Sequence, residues 1–245
     1  NGSLQLPDDA KEYPLLLYTQ LQEMDLTQVF AAVDMLGLDV LNSRNVRGGV
    51  DCSVVVRTSL DQAFLPSIAR TVMYTNAAIS NMELIEVEAI GKALHFLREK
   101  KTSHLYFEDV DMKFILNKGR FIVPGTQLNS NLSHLFLAGT YTMGNEANLH
   151  FDVAILDVLF GNNKRRVEKV VTDQELGKPR LVKHLALQRE AGQYKLRLFN
   201  KQENLQAVQQ MRDEFRQVVY KYQIDTTSAP GQPTVGPLTT ESREE

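Results

Sequence analysis

Three observations predict an α+β, mainly β fold, in which an extended antiparallel sheet carries a few amphipathic helices. Apolar and polar residues alternate at period two over much of 104–160, turn residues separate the alternating runs, and only three stretches show helical periodicity. The clearest run places Val110, Met112, Phe114 and Leu116 against Asp109, Asp111, Lys113 and Asn117. A second places Leu149, Phe151, Val153 and Ile155 against Asn148, His150, Asp152 and Ala154. Side chains of a strand point alternately to its two faces, so these strands are expected to have one apolar face and one wet face.

In chain order, Tyr13–Tyr18 is an extended apolar stretch entered through Pro14. Asp25 is a helix N-cap residue type, followed by Leu26, Val29, Phe30, Val33 and Leu36 at helical spacing until Gly37. Arg47-Gly48-Gly49 reads as a turn before the valine-rich strand Val50–Arg57. Ser59–Arg70 reads as a loop or short helical turn around Pro66, and Thr71–Leu84 as a further strand or two. Val87, Ile90, Leu94 and Leu97 mark a second helix over 87–98.

The strand array follows. His104–Asn117 turns at Lys118-Gly119 and returns as Arg120–Val123. Pro124-Gly125 reads as the next break, and Leu135–Met143 turns at Gly144-Asn145 into Asn148–Leu156. Leu181–Gln188 and Tyr194–Phe199 form a hairpin around Ala191-Gly192. Leu205, Val208, Phe215, Val219 and Tyr222 mark a helix over 202–222. It packs on its own sheet or offers a partner helix a seam that Arg212 interrupts. Residues 226–245, rich in Pro, Gly, Ser and Thr, are expected to be disordered. The expected organisation is a β-rich domain over 1–176, a basic hairpin and helix over 177–225 packed on or next to it, and the tail.

Composition narrows the classes. A chain of 245 residues with a net charge of −3 holds a substantial core and suggests no nucleic-acid partner. Cys52 is the only cysteine, which excludes an intramolecular disulfide and cysteine-based zinc sites. No apolar run approaches the roughly 20 residues needed to cross a bilayer. The chain begins at Asn1 without a leader-like segment, so a fragment or processed product is expected, with any anchor upstream.

No catalytic constellation stands out. There is no Gly-x-Ser-x-Gly elbow and no phosphate-binding loop ending in Lys-Ser/Thr. Histidines 95, 104, 134, 150 and 184 are scattered without an i,i+4 pair, so no metal site and no cofactor are expected. Asp109 and Asp111 read as part of a wet face. From Lys164 to Lys201 the chain has eleven Lys/Arg and four Asp/Glu. That basic segment is a solvated face, a surface for anionic lipid headgroups, or a site for an acidic partner. Its compact cluster Lys164-Arg165-Arg166 follows the apolar Val158–Phe160, an order that suits a membrane surface.

Residues 48–160 resemble the C-terminal region of the AsmA-like proteins of Gram-negative envelopes. Gly49–Arg57 looks like an early strand of that region, and Thr71–Leu84 like its extended inner segment. Leu105–Phe114 with Asn117-Lys118-Gly119-Arg120 looks like its strand with the following turn. Leu137-Ala138-Gly139-Thr140-Tyr141 and Asn148–Ile155 look like the closing pair. Phe160-Gly161-Asn162-Asn163-Lys164-Arg165-Arg166 looks like Bacteroidetes-type members. The resemblance implies a curved sheet and a non-enzymatic periplasmic factor in outer-membrane and envelope biogenesis, anchored to the inner membrane through a region absent from this chain. It implies that an apolar face of Val110, Met112, Phe114, Leu149, Phe151 and Val153 shelters or hands on phospholipid or lipopolysaccharide, with Lys164, Arg165 and Arg166 at anionic headgroups. The alternative is a scaffolding module with a closed core that binds other envelope proteins; a hydrolase is a third reading.

Overall fold

The structure is a computed structural model that describes residues 12–33, 42–87, 103–142, 146–172, 176, 178–179, 181–190 and 193–226. The helix expected over 87–98, the end of the first helix, the turns at 144–145 and 191–192, and the tail beyond residue 226 lie outside the described residues.

Ten strands form one open, curved antiparallel sheet among the described residues. They are β1 (Tyr13–Asp25), β2 (Val46–Leu60), β3 (Val72–Ile85), β4 (His104–Tyr106), β5 (Val110–Asn117), β6 (Arg120–Asn129), β7 (His134–Thr142), β8 (Ala147–Ala154), β9 (Val182–Glu190) and β10 (Gln193–Phe199). Spatial order follows chain order, except that β4 and β5 both pair with β3. The helices are α1 (Leu26–Val33), α2 (Ile155–Phe160), α3 (Asn163–Val171) and α4 (Lys201–Lys221). The fold is therefore α+β and mainly β, as the alternation predicts.

Cross-strand partners of an antiparallel pair share a face, so the register defines an inner ladder. Cys52 stands opposite Leu21 and Ala77, and Ala77 opposite Met112. Further along, Leu137 stands opposite Phe151, and Phe151 opposite Leu185. The same inner face carries Val54 and Leu187, and its buried members form one continuous apolar cluster from β2 to β9. Cys52 is buried within it, and that burial pushes its thiol pKa up.

The outer face departs from the expected wet surface. Val55, Tyr74, Ile115 and Ile122 are opposite one another on successive strands and are buried beneath Val218 and Ile224. Farther along α4, Val208 and Met211 pack on Ala138. The helix thus covers the outer face over β5–β7, because Ile115 and Leu116 are consecutive apolar residues and only one of them can point inward.

Asp25 caps α1 by accepting from the Thr27 amide at 2.7 Å, and that bonding to Thr27 holds its carboxyl below the ordinary carboxylate range. Asn200 and Glu203 close a reciprocal capping box on α4. Four local expectations need correction. Arg47-Gly48-Gly49 is not a turn before a strand but part of β2, where a bulge shifts the register on β3 between Arg47 and Gly49 and Gly48 takes φ 134°. The stretch 104–117 is two strands, interrupted where the Phe107 amide donates to Met82 and the Glu108 amide to Asn129. Pro124-Gly125 is a bulge inside β6 and not a break, since pairing with β7 resumes at Thr126. Gly125 has φ 143°, and a Cβ there would lie 2.6 Å from the Phe136 ring. The strand ending β8 stops at Ala154, and 155–171 forms two helices that alternation concealed. Asn162 caps the second of them by accepting from the Arg165 amide.

Candidate functional site

The six residues of the predicted apolar face do share the inner face, but they divide into two sets. Val110 and Val153 are almost fully buried. They lie at the lower end of the sheet, where the chain supplies Leu26 of α1, Leu105, Phe107, Leu132 and Val158 of α2 to the same cluster. Protein side chains fill this end, so these two positions are core and offer a ligand no surface. Met112, Phe114, Leu149 and Phe151 are half-buried. They sit one or more steps up their strands, toward the Lys118-Gly119 turn.

The upper part of the face is bounded by an aromatic series. Phe114 lies 6.0 Å from Phe121, and Phe121 lies 6.3 Å from Tyr141, between ring centroids. These rings succeed one another across β5, β6 and β7. Gly139 stands opposite Leu149, and a Cβ on it would lie 2.6 Å from the Asn148 carbonyl oxygen. The face is apolar there, and α4 lies on the opposite side of the sheet. Such a surface can take a flexible hydrocarbon, since burying apolar area is non-directional and needs no polar partner.

The basic cluster is also divided. Lys164 and Arg165 are exposed on α3. Arg166 turns inward, with Nε donating to the Asn131 carbonyl at 2.9 Å and a terminal amine to Ser130 at 3.0 Å. Its guanidinium also lies 3.8 Å from the buried Asp157 carboxylate, which His134 Nδ1 approaches at 3.1 Å. Arg166 therefore ties α3 to the β6–β7 turn and is not available in the way the predicted cationic cluster requires, while Lys164 and Arg165 stay exposed.

Sequence reasoning missed a second polar cluster, on the outer face under the start of α4. Asn204, fully buried, donates to Asp152 at 2.8 Å, and His184 Nδ1 lies 2.6 Å from the same carboxylate oxygen. His150 Nδ1 is 3.4 Å from Asn204 Oδ1, and its ring meets Phe199 edge-on at 5.1 Å. Burial lowers the His150 pKa, with Asn204 and Asp152 opposing the shift. A period-two count could have found the histidines on one face, but not the asparagine that a helix 50 residues later delivers to them. A cleft of about 1030 Å³ opens beside this cluster, lined in part by Phe136, Val208 and Arg212. Its polar groups pair mainly with the protein: Arg212 donates to the Pro124 carbonyl and lies over the Phe136 ring.

Among the described residues no three His, Cys, Asp or Glu side chains gather as a metal site. His104 pairs with Glu83 at 2.7 Å, and Glu108 accepts from Asn129. Asp109 precedes β5 and does not share a strand face with Asp111. No described helix is long and apolar enough to cross a membrane. Compared with known proteins, the chain matches no family model, no curated protein and no solved structure.

Proposed function

We propose that this chain is a non-enzymatic periplasmic factor of envelope biogenesis whose apolar inner face shelters an acyl chain of phospholipid or lipopolysaccharide. The observation that carries the reading is the half-buried set Met112, Leu149 and Phe151 on a continuous apolar ladder, with the half-buried Phe114 two residues along β5 from Met112 and beside the Phe121 ring. Each methylene that leaves water contributes about 0.8 kcal/mol, so a few contacts on such a face hold a chain. The resemblance to AsmA-like proteins supplies the cellular setting and the anchor expected upstream. The second reading, a scaffold for other envelope proteins, draws on the filled lower end around Val110 and Val153.

Photocrosslinking side chains at Phe114 and Phe151, with Tyr220 on the exposed side of α4 as control, test the reading in intact envelopes. Lipid adducts at both inner positions and none at Tyr220 are expected. Protein adducts in place of lipid at Phe114 and Phe151 would establish the scaffold instead.

A further inference from the structure

Thr140, Asn148 and Gln188 form a polar row across β7, β8 and β9, each standing opposite the next. The row starts beside Ile122, which lies beneath α4, so it belongs to the outer face of the sheet. The helix packs over β5–β7, and a cleft of about 390 Å³ opens where these three residues line the sheet. Arg120, paired with Glu214 of α4 at 3.2 Å, also lines it, as do Arg189 and Glu146. Ala147 is the only apolar lining residue among those described. The hydrogen-bonding groups of the row are largely unspent. Among the described residues, the side chains of Thr140, Asn148 and Gln188 make one hydrogen bond, the long contact of 3.5 Å from Gln188 Nε2 to Asn148 Oδ1. Thr140 is only 7% exposed, and Asn148 and Gln188 are half-buried, so these groups line a recess and not an open wet face. In the larger cleft beside Asn204, by contrast, Asn204 and Arg212 are spent on protein partners.

We propose that this cleft binds a neutral sugar or similar polyol through the hydroxyl of Thr140 and the amides of Asn148 and Gln188. A primary amide carries donors and an acceptor side by side, so it gives one hydrogen bond and takes another from adjacent hydroxyls of one ligand. Facing positions on neighbouring strands are about 5 Å apart, so the row presents three such groups over about 10 Å, a span that suits one or two pyranose rings. The volume points the same way, since it stands at the lower end of the about 300–1,000 Å³ of small-molecule sites. Charge selects against an anion. Among the lining residues Arg120 is offset by Glu214, and Arg189 is matched by Glu146, so no excess of cations draws phosphate. A hydrocarbon gains little either, because burial of apolar area drives its binding and Ala147 alone supplies any. The cleft lies on the face opposite Met112 and Phe151, so the inference goes beyond acyl-chain shelter and does not rest on it.

Saturation-transfer difference NMR on the full chain tests this with glucose, galactose, mannose, N-acetylglucosamine and maltose at millimolar concentration. Transfer to the ring protons of at least one of them is expected. For that sugar, Asn148→Leu combined with Gln188→Leu should weaken binding at least about tenfold, because several hydrogen bonds are lost together. Thr140→Val removes the hydroxyl with little change of shape and should weaken binding severalfold, which keeps the test decisive if the double variant fails to fold. Gln206→Leu, at an exposed position lining the other cleft, should bind as the native chain does. Absence of transfer from all of these sugars, or transfer undiminished in every folded variant of the row, overturns the proposal. Displacement of the bound sugar by millimolar inorganic phosphate also overturns it, making the cleft an anion site. Lipid adducts at Phe114 and Phe151 report on the inner face alone, so failure there leaves the sugar site standing, and failure of sugar binding leaves the acyl-chain reading standing.

Discussion

His150 shows how one residue acquires a property from its surroundings. In an exposed strand it would titrate near 6.5, but here it is buried against Asn204 and Phe199, and burial lowers its pKa. The folded state then binds a proton less readily than the unfolded chain. Between the lowered folded value and 6.5 the unfolded state holds more protons, so stability is complete above 6.5 and declines as pH falls. Urea midpoints measured from about pH 7 to about pH 5 should fall for the native protein. They should fall less for His150→Gln, which retains a donor toward Asn204 without the titration. Parallel pH profiles for the two proteins would show that His150 is not a source of the loss. The neighbouring His184 and Asp152 pair is present in both proteins, so it cancels in the comparison.

Elements show the next level of dependence. The three-four spacing of α4 is visible in the sequence, but the surface it covers is not. The helix lies on the outer face, where Met211 and Val208 meet Ala138, Val218 joins Ile115 and Ile122, and the Phe215 ring lies 6.3 Å from that of Tyr74. Met211→Ala should destabilise by about 2–5 kcal/mol through lost burial and a residual cavity, read as a lower denaturation midpoint. Tyr220→Ala, on the exposed side of the same helix, should leave the midpoint within about 0.5 kcal/mol. If Met211→Ala is equally silent, α4 is not held to the sheet by this contact. Because α4 covers the outer face, it does not compete with a ligand for the inner one.

At the scale of the molecule, the basic hairpin and the strands before it are one sheet. β9 pairs with β8 along eight residues, from Ala154 opposite Val182 to Ala147 opposite Arg189. Leu185 and Leu187 belong to the same apolar cluster as Val50 on β2. Division near residue 176 would cut through that cluster, so thermal unfolding should be a single cooperative transition with equal calorimetric and van't Hoff enthalpies. Two transitions would separate the hairpin and α4 from the rest. The two free edges differ in charge, acidic at β1 and basic at β10, which gives the open sheet a direction.

Local chemistry in the sequence determined the strands, most of their turns, the cap at Asp25 and the membership of one apolar face. Each depends on residues close together in the chain: period two for faces, glycine for turns, an oxygen side chain for a free amide. Tertiary structure decided the rest. Alternation assigns Val110 and Met112 to one face but cannot say that Leu105, Phe107 and α2 fill the space over the first and leave the second half-buried. It shows three consecutive cations at Lys164-Arg165-Arg166 but not that Arg166 turns inward to the carbonyls of Ser130 and Asn131. Whether a side chain is core, contact or surface depends on what distant segments place above it, and in an open sheet that information lies in the curvature and in the helices' choice of face.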